Sequence, residues 1–273
     1  VRKKAERVVY YRDALRDDFA GTNIDTCRVG ADFPFAHGWL WNAVGTALYY
    51  VVAAPLVFLI SWLYLGLKFE NRRALRGLRR SGYFLYGNHT RNLDAFLPAV
   101  AAFPKRAYII TGPDAVSLPL LRNVVMMLGA IPIPTEFSAM RKFLTAVTER
   151  FRQRHCVAVF PEAHVWPFYT GIRPFPDTSF GYPAKENAPS IVMVTTYRRR
   201  RGLFRFAKKP GMTVTFSDPI YPDPALPPRQ AQKELRDRAH AFMLAVSSGR
   251  ENVEYIRYIQ TTGDASVSAG TKE

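Results

Sequence analysis

Two cysteines are all that this chain of 273 residues contains, and Cys27 and Cys156 stand too far apart to form a Cys-x-x-Cys pair. There is no basis for a disulfide framework or a thiolate zinc site, and an ordinary reducing, cytoplasm-facing setting fits. Cys156 lies in an apolar run and reads as a small core residue, not a nucleophile. No Gly-x-Ser-x-Gly elbow occurs, so a hydrolase of that type has no attacking serine here. Zinc-finger spacing and an aromatic RNA-binding block are missing too, which argues against a nucleic-acid partner. Acidic residues are scarce: 22 Asp plus Glu face 38 Lys plus Arg, a net charge of +16. Such an excess favours an anionic membrane surface, a phosphate-bearing substrate or a nucleic acid.

Charge is absent altogether from residues 38–67. About 20 apolar residues in a helix cross a bilayer core, so this stretch is long enough to span. It starts too late, and without a small-residue cleavage site, to be a signal peptide. Trp39, Trp41, Trp62 and Tyr64 mark its ends, where amphipathic rings favour the membrane interface. Pro55, near the middle, is expected to kink one helix or separate two shorter ones. A collar of Lys68, Arg72, Arg73, Arg76, Arg79 and Arg80 follows, and by the positive-inside tendency the rest of the chain stays cytoplasmic. The pattern therefore predicts a cell-membrane protein with its main domain on the cytoplasmic side. A helix pair buried in a soluble core is the alternative.

Beyond the collar, short apolar runs alternate with helical stretches. Strands are predicted at 83–87, 107–110, 130–133, 156–160, 191–194 and 212–216. An amphipathic helix carries Phe137, Met140, Phe143, Leu144, Val147 and Phe151 on one face, and another runs over 229–247. Nearly continuous apolar strands separated by helices are buried on both faces, which predicts an α/β fold with a mostly parallel central sheet flanked by helices. A membrane-embedded helical segment precedes it. The organisation read from this is a polar arm (1–36), a membrane-associated segment with its basic collar (37–80), a catalytic domain (81–260) and a disordered tail (261–273).

Two polar clusters fall at the carboxyl ends of predicted strands, where open α/β sheets place their sites. The first is Asn88-His89-Thr90-Arg91-Asn92-Leu93-Asp94. With Asn92 as helix N-cap, Asp94 enters the first turn and can fold back to hydrogen-bond one nitrogen of His89. The other nitrogen is then free as a base, the base half of a serine triad without its serine. The attacking hydroxyl must come from a substrate. The second cluster is Phe160-Pro161-Glu162-Ala163-His164.

Asn88-His89-x-x-x-x-Asp94, followed some seventy residues on by Phe160-Pro161-Glu162, resembles the glycerolipid (lysophospholipid) acyltransferases, particularly bacterial 1-acyl-sn-glycerol-3-phosphate acyltransferases. Residues 129–134 and 188–194 match two looser blocks. The resemblance implies acyl transfer from an acyl-CoA or acyl carrier protein thioester to a lysophospholipid hydroxyl, with no metal, no cofactor and no acyl-enzyme. It implies His89 as general base, Asp94 as its orienting partner and Glu162 as an acceptor-positioning group.

The family's second block usually ends in an arginine thought to hold the acceptor phosphate; Pro134-Thr135 stands there. Its third block usually continues Gly, then Thr or Ser, then Arg; here it is Ala163, His164 and Val165. Arg173 is the expected substitute for phosphate binding, with Arg91 and Lys185 behind it. Asn88 is a further substrate-side candidate. His164 is either an acceptor ligand or a turn cap. The run Arg198–Arg201, with Arg205, Lys208 and Lys209, either grips a phosphorylated donor or anionic headgroups or forms a solvated turn. His155 reads as a charge partner for a helix C-terminus, and His37 and His240 carry no motif. A non-enzymatic basic lipid- or nucleic-acid-binding membrane protein is the competing functional class.

Overall fold

The computed structural model describes residues 7–19, 25–202 and 205–261. A first strand, β1 (Val8–Tyr11), precedes the apolar segment, which forms one continuous helix from Trp39 to Leu65. The helix comprises α1 (Trp39–Ala47), a π turn (Leu48–Ala53), α2 (Ala54–Ile60) and a second π turn (Ser61–Leu65). Pro55 does not separate the segment into two helices. The first π turn accommodates it, with Ala54 N–H bonding the Tyr49 carbonyl five residues back, so the missing proline donor interrupts no α-turn ladder. Only 17% of the helix's most apolar window is buried. Gly66 ends it in the left-handed region, and a side chain there would press on the Arg200 guanidinium.

The sheet then begins earlier than the apolar pattern predicts. Lys68–Glu70, expected in a basic collar outside the domain, is its edge strand β2. After it come β3 (Tyr83–Gly87), α3 (Leu97–Ala102), β4 (Ala107–Thr111), α4 (Pro119–Met127), β5 (Ala130–Pro132), α5 (Met140–Arg152) and β6 (Cys156–Val159). The chain finishes with α6 (Gly181–Glu186), β7 (Ser190–Arg198), β8 (Gly211–Phe216), α7 (Pro228–Gly249) and β9 (Arg257–Gln260). The seven-stranded order is β2-β8-β7-β3-β6-β4-β5, parallel except for the β7–β8 pair. The predicted α/β class and mostly parallel sheet are what is found. Every residue of β3, β6 and β8 is buried, because helices or loops cover both faces. Cys156 is fully buried, and its thiol is pushed up to about 12 by burial, in keeping with a core role.

The arm is not featureless: β1 pairs in parallel with β9, Val8 opposite Arg257. The predicted tail lies, Thr261 apart, outside the described residues.

Candidate active site

Strand β3 delivers Asn88 and His89 at its carboxyl end, and β6 delivers Phe160 and Glu162 beside them, since Tyr83–Tyr86 lies in register with Cys156–Val159. After β3 the chain makes a 3-10 turn (Asn92–Phe96) and enters α3. The cap is Arg91, one residue before the predicted Asn92, because the Asp94 carboxylate takes its backbone N–H at 2.7 Å. Asp94 is fully buried in this first turn, and the same Oδ2 accepts Thr90 N–H at 2.6 Å. His89 Nδ1 lies 3.6 Å from that oxygen, so the expected hydrogen bond is not made, and the nitrogen is buried without a partner among the described residues. The imidazole stacks on Phe160, ring centroids 4.6 Å apart.

Glu162 does not face an open acceptor cleft. Its Oε2 accepts His89 N–H at 3.2 Å and Arg173 Nη2 at 3.1 Å, and its Oε1 accepts Arg173 N–H at 3.1 Å. Both side chains of the pair are about 1% exposed. Burial pushes the Glu162 carboxyl up, against the opposing pull of Arg173 and the three hydrogen bonds. The Arg173 guanidinium also donates to the His164 carbonyl and lies 4.9 Å from the centre of the Trp166 ring. The expectation that Arg173 grips an acceptor phosphate is therefore corrected: it is enclosed, with Glu162 as its counter-charge.

Other candidates disperse. Asn88 bridges to β7, donating to the Thr195 carbonyl at 3.0 Å and accepting Thr195 N–H at 2.8 Å, which splices the loop to the sheet. Arg91 is buried, its guanidinium over the rings of Phe168 and Tyr64. The same guanidinium meets the Met212 sulfur at 3.6 Å. His164 is partly exposed, with Nδ1 3.7 Å from Asp18. Lys185 lies in the last turn of α6, just before β7 begins, at the end of the sheet opposite His89. The arginine run is not a plain solvated turn: Arg198 donates to the Gly66 carbonyl at 2.6 Å, and Arg200 to Tyr64. These contacts fasten the end of the apolar helix to the β7–β8 hairpin.

The roof over this site carries no local motif. Trp166 is fully buried, donating Nε1–H to the Asp17 carbonyl at 2.7 Å and stacking on Tyr258 at 5.1 Å. Tyr11 and Phe19 meet the same ring edge-on. Ala163 takes φ 62°, a left-handed conformation that the family's usual glycine adopts without strain.

A buried carboxylate, a largely buried histidine and a glutamate holding the histidine's backbone thus meet at the carboxyl ends of the strands of an α/β sheet. The acyltransferase family model matches residues 67–222, more than half of the chain, and the chain belongs to that family. The protein is an acyltransferase. No match is found among curated proteins. Among solved structures it is similar to the crystal structure of the 1-acyl-sn-glycerophosphate (LPA) acyltransferase PlsC from Thermotoga maritima, at 14% identity and a TM-score of 0.46, covering 75% of this chain and 93% of that one.

Proposed function

We propose that this acyltransferase moves a fatty acyl group from an acyl-CoA or acyl carrier protein thioester to the hydroxyl of a lysophospholipid such as 1-acyl-sn-glycerol 3-phosphate, at a membrane. The observation that carries the reading is the contact of His89 Nδ1 with the buried Asp94 carboxylate. With Nδ1 turned inward, Nε2 is the nitrogen left for the acceptor. The acceptor oxygen gives its proton to Nε2 as it bonds to the thioester carbon. Collapse of the tetrahedral intermediate breaks the C–S bond, and the thiolate recovers the proton from His89. Asp94 favours the imidazolium formed between these steps. Glu162 acts through the His89 backbone.

Membrane association is supported by surface that water does not favour. Trp39, Leu40, Val51, Leu56, Leu59 and Trp62 are exposed along the helix. No residue of α4 is buried, and Leu120 is 94% exposed. Contiguous apolar surface of this kind marks an interaction face. The opposite side of the helix is seated on the domain, from Gly45 against Met127 to Gly66 under Arg198. That seating supports a helix lying along the domain with its outer face in lipid. The collar supports a cytoplasmic catalytic domain.

The test is acyl transfer by the purified full chain, with labelled acyl-CoA or acyl carrier protein and a panel of lysolipids. The panel includes acceptors without a terminal phosphate, because Arg173 is buried and paired with Glu162 and Arg91 is buried against protein rings. His89→Ala is expected to lose roughly 10³-fold or more of kcat. Turnover within about tenfold of wild type, per molecule folded by circular dichroism, would remove His89 as the base.

A further inference from the structure

At the amino ends of the strands, remote from His89, Arg106 is only 7% exposed. Its guanidinium donates to the Met127 carbonyl and to Thr46 Oγ1 at 3.2 Å, and lies over the rings of Tyr49 and Tyr108. Its Nε has no partner. Carbonyls, a hydroxyl and ring faces surround this cation, and no carboxylate pairs with it among the described residues. Arg150 lies over the same Tyr108 ring, 4.7 Å from its centre. His37 stacks on Trp41, centroids 4.3 Å apart, with its buried Nε2 also unpartnered. Arg106, Arg150 and His37 line one cavity with Phe33, Phe35 and Trp41, and no Asp or Glu lines it.

A buried charge without a counter-ion costs several kcal/mol, and proteins ordinarily supply one. Here the chain supplies a second arginine and a histidine instead. Neighbouring histidines register the positive field: His155 is pushed down to about 4 by burial and by Arg106, Arg150 and Lys105, and His37 is lowered by burial and Arg150.

We propose that this cavity binds an oxyanion of the phosphate class, presented by a lipid headgroup or as free phosphate. Two guanidiniums and an imidazole donor suit its several acceptor oxygens. The cavity lies at the foot of the apolar helix, beside the exposed Trp39, where headgroups meet an interfacial ring. Ala107 is level with Cys156 and Tyr83, and His89 is six residues beyond Tyr83. At about 3.3 Å per residue Arg106, at the amino end of β4, is roughly 20 Å along the strands from the acyl-transfer chemistry.

The experiment uses the full chain in neutral detergent, titrated calorimetrically with inorganic phosphate against a chloride background. In parallel, it is floated on phosphatidylcholine vesicles with and without phosphatidic acid. Saturable phosphate binding that weakens about tenfold or more in Arg150→Gln and persists in His89→Ala supports the site with a free anion as ligand. A phosphatidic-acid-dependent gain in flotation, lost in Arg150→Gln without phosphate binding in solution, supports it with a lipid as ligand. Arg106→Gln is the stronger variant; should it fail to fold, Arg150→Gln and His37→Gln decide. Absence of saturable binding to either probe, or binding unchanged in folded Arg150→Gln and His37→Gln, overturns the proposal. Failure to float on any vesicle argues against the membrane reading alone and leaves the phosphate titration decisive for this site.

Discussion

Two buried guanidiniums sit at opposite ends of one sheet, and they are neutralised by different means. Arg173 faces Glu162, a carboxylate as buried as itself, beneath the Trp166 ring. Arg106 faces carbonyl, hydroxyl and ring dipoles only. Where the chain provides the counter-charge, the cation is architecture and holds a loop in place. Where it does not, the cation keeps its capacity for an anion from outside. A buried arginine near a reaction site is thus not thereby a ligand, and one far from it is not thereby a strut.

Breaking the first pair has the largest expected effect on stability. Arg173→Met leaves Glu162 buried without its partner, at an expected cost of about 3–5 kcal/mol in urea unfolding at neutral pH. The deficit depends on pH. The folded carboxyl is already raised by burial, so without Arg173 it stays protonated above its unfolded value of 4.5. At low pH Glu162 is protonated in both folded proteins and the deficit is smallest; it grows as pH rises through the raised wild-type folded value, where the wild-type carboxyl ionises beside Arg173 and the variant's stays protonated. A deficit independent of pH would mean that Glu162 is not the group left behind.

Arg106→Met is expected to change stability less, by no more than about 1–2 kcal/mol in either direction, because the hydrogen bonds it forfeits are offset by relief of an unpaired buried charge. Its pH dependence should instead follow His155, whose proton Arg106 repels, and lie between about 4 and 6.5. Equal pH dependence in the two variants would erase the distinction between the clusters.

His155 sharpens the comparison further. Its folded value of about 4 lies below the ordinary 6.5, so between those values the unfolded chain binds a proton that the folded one refuses. Stability therefore falls as pH drops from 6.5 to about 4 and gains no further loss from this group below that. His155→Gln should flatten the window, measured by unfolding midpoints across pH. The smallest effect belongs to Ala163→Gly, a gain of about 0.5–1 kcal/mol from relieving the left-handed alanine, partly offset by glycine's greater freedom when unfolded.

The parallel sheet was legible because its central strands are continuous apolar runs, a local signal. Strand β2 was not: Lys-Phe-Glu looks like part of a charged collar, and only its pairing with β8 makes it a strand. Val8–Tyr11 has the composition of a strand but lacks a partner within reach along the chain; that partner is Arg257–Gln260. The His89–Asp94 contact was legible because six residues and a helix turn suffice to make it. Arg173 was legible as a cation near the site and not as the buried partner of Glu162, since its burial is set by Trp166 and the distant arm that packs on it. The same non-local field inverted the reading of His155, which is held neutral, not charged. Arg106 is a single arginine before an apolar strand and carries no motif at all.

The pairing of β1 with β9 also fixes an order of events during synthesis. The apolar helix and the His89 loop leave the ribosome with more than half of the chain still to be made. Tyr258, whose hydroxyl donates to the Pro167 carbonyl at 2.9 Å and whose ring covers Trp166, is translated long afterwards. Until it arrives, the loop carrying Glu162 and Arg173 lacks its cover, and the imidazole it steadies has no fixed backbone. On the membrane reading proposed above, the nascent chain would thus meet the lipid surface before its catalytic loop is covered.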